Sequence, residues 1–123
     1  MVVVRTPNPR NGIVTLDLVR VCIDYEDVDR LRAAFDQELV FGSCKVMIRM
    51  KDLPMVAEKI QDQILAAFIH FRRQILRRNG SLALAGVVGS VKTILDSTRT
   101  RFDFYEDEAI AIMALMRQSP DTS

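Results

Sequence analysis

One apolar stripe constrains this chain more than any other feature. Leu53, Val56, Ala57, Ile60, Ile64, Ala67, Phe68, Phe71 and Ile75 recur at gaps of one, three and four. That spacing sets a continuous apolar face along a helix. Leu65, Ile69 and Leu76 widen the face, so cover on more than one side is expected. Asn79-Gly80 ends it, because glycine tolerates the left-handed conformation that closes a helix. Arg72, Arg73, Arg77 and Arg78 suit its negative end. Leu82, Leu84 and the alanines between and after them then read as a short buried strand. Asp52 is a natural N-cap and Pro54 is tolerated in a first turn. The pattern therefore predicts one helix over residues 53–78, about 39 Å long at 1.5 Å per residue. Such a helix overhangs a small sheet. Its first apolar residues, Leu53, Val56 and Ile60, then need cover, and a second copy of the chain is the cheapest source. Burying them is worth about 1.5–3 kcal/mol each before association costs.

The remaining segments alternate strand and helix. Val2, Val3 and Val4 form a candidate edge strand. Residues 6–12 are dense in turn formers, and Asn11-Gly12 suits a tight reversal. Residues 13–23 read as a strand, with period two over 14–19 and a bend near Arg20. Asp24 can cap the next helix, with Asp27 in its first turn. Val28, Leu31, Ala34, Phe35 and Leu39 share its apolar face; Asp29, Arg30, Arg32 and Gln37 make a solvated one. Residues 45–50 are apolar throughout except for Lys45 and Arg49, which points to a sheet covered on both sides. After Gly86 comes a turn. Ser90 can cap a helix running to Asp96, residues 101–105 form a last strand, and residues 106–117 a last helix. The expected fold is α/β, with a mixed, mostly parallel sheet of four to five strands and about four helices. Residues 1–11 supply the N-terminal strand and loop, 12–118 the domain, and 119–123 a loose tail.

At 123 residues and 49% apolar content, one domain with a real core is expected. Seventeen basic and sixteen acidic side chains leave a net charge of +1. That balance argues against bulk electrostatic binding to nucleic acid or an anionic membrane. No run reaches the roughly 18 apolar residues of a membrane span, and the N-terminus lacks a signal-peptide pattern. A soluble cytoplasmic protein is expected. Cys22 and Cys44 are too few for a disulfide framework or zinc site, and both read as buried free thiols.

Catalytic signals are weak. His70, the one histidine, reads as structural or surface, with a cysteine partner for it the remaining alternative. Gly86-Val-Val-Gly89 lacks P-loop order. No carboxylate pair is visibly isolated in an apolar setting. The four arginines read as helix-end electrostatics rather than an RNA patch. The methionines read as core filler, although Met113 and Met116 could serve a partner groove if exposed. Neither catalysis nor a cofactor or metal is expected.

The run FRRQILRRNGSLALAGVVGSVKTILDSTRTRFDFYEDEAIAIMAL carries a resemblance. A helix ending at glycine, an apolar strand, a small-residue turn, the Val91-x-x-x-Leu95 helix, a Phe-rich strand and the acidic start at Glu106 follow in order. In this the chain resembles the STAS family, the fold of bacterial anti-sigma factor antagonists, over residues 12–116. The resemblance implies a bacterial protein-interaction domain in signalling or transcription regulation. Its partner would be an anti-sigma factor kinase or another STAS protein. In that family a serine or threonine after the third strand is phosphorylated, and the added charge switches partner binding. This chain departs there. Counting back from Gly80 places Asp62 on the switch position, and no serine or threonine lies between Cys44 and Ser81. Asp62 is then either a fixed charge resembling the phosphorylated state or an ordinary solvated residue in a lost switch. The continuing apolar stripe favours loss. The predicted partner surface comprises Asp52, Met55, Glu58, Lys59, Gln61, Asp62 and Gln63, with Gly86 and Ser90 beside them. Leu53, Val56 and Ile60 are the self-association candidates of a homodimer. Two alternatives keep the fold: a self-associating scaffold of a stressosome-like or lipid-transport complex, and a small-molecule-binding sensor.

Overall fold

The computed structural model describes residues 2–19, 22–23, 25–50, 55–56, 58–87, 89–97 and 101–117; for Cys22, Ile23, Met55, Val56, Glu58, Gly89 and Ser90 only the backbone is considered. The strands are β1 (Val2–Pro7), β2 (Ile13–Val19), β3 (Cys22–Ile23), β4 (Lys45–Arg49), β5 (Met55–Val56), β6 (Ser81–Ala85) and β7 (Phe104–Tyr105). The helices are α1 (Tyr25–Phe41), α2 (Gln61–Arg77), α3 (Gly89–Asp96) and α4 (Glu108–Arg117), with a 3-10 turn at Glu58–Ile60. Five strands form a sheet in the order β1-β2-β4-β6-β7. β1 is antiparallel to β2, and every other pairing is parallel. The mixed, mostly parallel α/β fold expected from the sequence is therefore present.

The topology explains the layers. From β2 to β7 each crossover steps the same way across the sheet. Right-handed connections then place α1, α2 and α3 on one face. Val14, Leu16, Leu18, Val46, Ile48, Leu82 and Leu84 point into that face. They meet Leu31 and Phe35 of α1, Ile64, Phe68, Phe71 and Ile75 of α2, and Val91 and Leu95 of α3. α4 follows the last strand and has no further crossover to make. It returns over the opposite face, where Ala111 and Leu115 cover Ile13, Met47, Ala83 and Ala85. β6 is buried at all five positions because helices lie on both sides. In β2, Thr15 and Asp17 are only half-buried on the α4 side.

Several local expectations are corrected. The long helix does not begin at residue 53. Met55–Val56 is a strand that pairs in parallel with Cys22–Ile23 as a second, two-stranded sheet, and α2 begins only at Gln61. A two-residue ladder satisfies backbone groups that helical periodicity alone assigned to a helix. Ile60 is 1% exposed and belongs to the chain's own core, so it offers nothing to a second copy. Asp52, Leu53 and Pro54 lie outside the described residues, as do Arg20, Asp24 and the tail. Strand β1 runs on through Thr6 and Pro7, and the reversal to β2 is closed by the Gly12 amide donating to the Asn8 carbonyl at 2.9 Å. Ser90 lies inside α3 rather than capping it. Cys44 is exposed rather than buried, because it sits in the loop before β4; the Cys22 side chain lies outside the described set.

The end of α2 also differs from the expectation. The left-handed residue is Asn79, at φ 59°. The Gly80 amide donates to the Ile75 carbonyl at 2.9 Å and the Asn79 amide to Leu76 at 3.0 Å, a Schellman closure. Gly80 is needed for another reason. A Cβ there would stand 2.3 Å from the Cys44 carbonyl oxygen.

Candidate functional site

In an open α/β sheet, the carboxyl ends of the parallel strands are where helix starts and loops gather. Here the starts of all four helices follow strand ends on that side. α2 begins there with Gln61 half-buried, Asp62 exposed and Gln63 half-buried; Lys59 before them is exposed. The N-cap Ile60 has no side-chain capping bond, and Asp62 is the acidic residue of the first turn, facing the positive end of the helix. Gly86 closes β6 at φ 68°, with its amide donating to the Tyr105 carbonyl at 3.0 Å. β5 packs against α3, and α2 also meets α3. The described parts of the two segments read as a partner surface, residues 55–56 and 58–63 on one side and 86–87 and 89–90 on the other, are therefore neighbours through β5, α2 and α3. Met55 and Glu58 belong to this region by backbone, and Asp52 falls outside the described residues.

Two side chains to which the sequence pattern gave no role, Arg49 and Glu38, tie elements together at the ends of the sheet. Arg49, beside Lys45 the other charge in an otherwise apolar strand, donates to Asp17 and to Glu108 at 3.0 Å each. It thereby ties β2, β4 and the start of α4 at the carboxyl end. Its isolation in an apolar run was the available signal. The sequence pattern assigns Glu38 to neither face of α1, yet it follows Leu31 by seven residues and Phe35 by three, which places it in the apolar stripe, and it is 1% exposed. One of its oxygens accepts from the Arg5 guanidinium and the other from Ser43 Oγ at 2.7 Å. Arg5 also lies over the Phe41 ring, 4.6 Å from its centroid. These contacts pin the edge strand β1 to α1. Asp27, likewise buried, stands 3.9 Å from Arg30.

His70 is exposed and lines a groove of about 310 Å³ with Arg32, Phe35, Asp36, Ala66 and Ala67; Cys44 is not among the lining residues. Two of the four arginines have structural roles: Arg72 lies 6.0 Å from the Phe102 ring centroid, and Arg78 donates to the Leu39 carbonyl at the end of α1. An aromatic ring does therefore face this basic cluster. Among the described residues, no group of three His, Cys, Asp or Glu side chains could hold a metal ion, and no helix is long and apolar enough to cross a membrane.

Tyr105, at the end of β7, is held above its ordinary pKa of 10.0, first by burial and then by the charge of Asp103. Both effects favour the neutral phenol in the folded chain, whereas the unfolded chain ionises near 10.0. The tyrosine's contribution to stability is thus complete below about pH 10 and is lost as pH rises through the folded value. Ultraviolet titration of a Tyr25→Phe variant, leaving one tyrosine, is expected to give a midpoint above 10.0, and Asp103→Asn to lower it. A midpoint at or below 10.0 contradicts this placement of the ring.

The topology and the gathered helix starts define a STAS-like α/β domain. Solved structures agree. A candidate anti-sigma factor antagonist of Thermotoga maritima, TM1081, superposes with a TM-score of 0.73 at 17% identity, over 92% of this chain and 93% of that one. The anti-sigma factor antagonist SpoIIAA in its unphosphorylated form gives 0.70 at 11% identity, over 94% and 98%. The phosphorylated form of SpoIIAA, a Bacillus cell fate determinant, gives 0.63 at 15%, over 89% and 96%. At these identities the likeness is one of fold, and the chain has the fold of anti-sigma factor antagonists. No family model and no curated protein matches the sequence.

Proposed function

We propose that this chain is a non-catalytic protein-interaction domain that acts as an anti-sigma factor antagonist does, but without a phosphorylation switch. The observation that carries the reading is the start of α2. It lies at the carboxyl end of a STAS-like sheet, bears an exposed carboxylate at Asp62, and has no hydroxyl side chain between Cys44 and Ser81. The partner is an anti-sigma factor of the kinase type or another STAS protein. The contact surface is Lys59, Gln61, Asp62 and Gln63 with Gly86. Asp52, Met55, Glu58 and Ser90 belong to the same proposal on sequence grounds, as does a cytoplasmic location in a bacterium.

Calorimetry with purified anti-sigma factors from the source genome tests the reading. Asp62→Arg is expected to weaken binding about tenfold or more, since a reversed charge at an interface costs over 1 kcal/mol. Asp62→Asn separates the two roles of the carboxylate. If Asp62 stands in for a phosphate, removing its charge shifts affinity as dephosphorylation would; in a lost switch, affinity stays within about twofold. Binding that is indifferent to Asp62→Arg would remove this surface from the proposal.

A further inference from the structure

The two ends of the sheet carry opposite charge, which the near-neutral balance of the whole chain conceals. At the carboxyl ends of the parallel strands, the first turns of α1, α2 and α4 hold Glu26, Asp27, Asp62 and Glu108. At the amino ends, Arg10 lies in the turn between β1 and β2, Lys45 begins β4, Arg77 and Arg78 close α2, and Arg117 closes α4. All but the half-buried Lys45 are exposed. Among the described acids of that end, Glu38 is buried and bonded to Arg5 and Ser43, which leaves Asp36 and Asp96 exposed. Helix-end electrostatics accounts for Arg77, Arg78 and Arg117, but not for Arg10 or Lys45, which lie on no helix. Nor does it account for the end of α1. That helix has no basic residue in its last turn; Val40 and Phe41 stand there instead, 85% and 55% exposed. Arg78 donates to the Leu39 carbonyl, so the arginines of α2 and this apolar pair share one surface. α4 also exposes Ile110, Met113 and Met116, which meets the condition set for the two methionines, but the groove beside it has a single charge in its lining, Arg117.

We propose that the amino end of the sheet docks on an anionic lipid surface, with Val40 and Phe41 entering the headgroup region and Arg10, Arg77 and Arg78 meeting lipid phosphates. The guanidinium fork binds phosphate oxygens in pairs. Apolar side chains beside such cations reach the acyl boundary and gain by leaving water. This combination selects against nucleic acid. Single strands are held by aromatic faces that are free to stack on bases. Here the Arg5 guanidinium covers one face of Phe41, 4.6 Å from its centroid, and Phe102 is 9% exposed. Val40 has nothing to offer a phosphate backbone, yet it is the most exposed of the large apolar residues of the chain. Cations spread over a turn, a strand start and two helix ends suit a broad charged surface better than a narrow groove. Docking in this way points the start of α2 away from the lipid, so the surface around Asp62 stays open to a protein partner. The proposal stands on residues at the other end of the sheet and does not rest on the anti-sigma reading.

Co-sedimentation of the full chain with lipid vesicles is the test. Vesicles of phosphatidylcholine with about 30% phosphatidylglycerol are expected to retain the chain, and vesicles of phosphatidylcholine alone to leave it in solution. Each basic side chain near such a surface is worth about fivefold in affinity, so Arg10→Gln combined with Arg77→Gln is expected to weaken binding about twentyfold. Val40→Ser is expected to weaken it about fivefold. Because Val40 is 85% exposed, the thermal midpoint of that variant should stay unchanged. Asp62→Arg, at the opposite end, is expected to bind vesicles within about twofold of the wild type. Pelleting without vesicles, equal retention on the neutral vesicles, or an affinity indifferent to the arginine pair overturns the proposal. Retention that needs the arginines but not Val40, and that polyuridylate matches, assigns the face to RNA and overturns it as well. None of these results touches the anti-sigma reading, which is tested by protein binding at Asp62.

Discussion

Phe71→Ala is expected to lower the unfolding free energy by about 3–5 kcal/mol, the largest effect of any single truncation considered for this chain. Phe71 is fully buried on α2. Its ring stacks on Phe35 of α1, with centroids 4.3 Å apart and planes 3° from parallel. Phe35 in turn meets the edge of Phe68 at 5.3 Å and 74°, and Phe68 meets Phe102 at 6.4 Å and 84°. The four rings join α1, α2 and the segment before β7 into one layer over the sheet. Truncation removes the transfer energy of the ring and leaves a space that helices anchored at both ends cannot close. Domains of this kind are stable by about 5–15 kcal/mol, so the loss is a large share of the whole. Urea denaturation followed by circular dichroism reads it directly, with Phe71→Leu expected to cost less than half as much. A loss below about 1 kcal/mol for the alanine variant would mean that α1 and α2 do not pack through this ring.

Gly80→Ala is expected to cost about 2–3 kcal/mol, whereas Asn79→Gly should change stability by less than about 0.5 kcal/mol. The contrast reverses the usual reading of an Asn-Gly helix end. Asn79 holds the left-handed conformation, which asparagine tolerates and glycine adopts freely. Gly80 is not left-handed, but an added methyl would stand 2.3 Å from the Cys44 carbonyl oxygen and 2.9 Å from Ile75 Cγ2. That carbonyl cannot yield cheaply, because it accepts from the Ser81 amide at 2.6 Å where β6 begins beside β4. Paired denaturation curves for the two variants decide the matter. Equal stability for both would place the constraint at residue 79 instead.

Much of the architecture was legible because alternation and periodicity are local signals of burial. The strands β2, β4 and β6, the helices α1 and α4, and the body of α2 follow from them. The start of α2 was not legible. Val56, Ala57 and Ile60 continue the stripe in phase, yet β5 pairs with β3, some thirty residues away in sequence. A parallel pairing between two short segments has no local signature, and a two-residue strand leaves no pattern to read. The same holds for the pairing of Glu38 with Arg5. Nothing in VRTP or ELVF announces that Arg5 and Glu38 meet, because their contact depends on β1 being the edge strand above the end of α1.

The candidate partner surface divides in the same way. That Asp62 stands without a hydroxyl neighbour is a fact of composition, read directly from the chain. That Ile60 is core and Asp62 is exposed depends on where α2 begins, which the second small sheet decides. The sequence by itself determined the α/β class, the covered strands β4 and β6, and the absence of serine and threonine between Cys44 and Ser81. Each rests on residue types and spacings that neighbours along the chain enforce. Only the tertiary structure decided where α2 starts, which carboxylates are buried, why residue 80 must be glycine, and that the far side of α4 stays open. Those depend on contacts between segments distant in sequence, whose geometry no local pattern records.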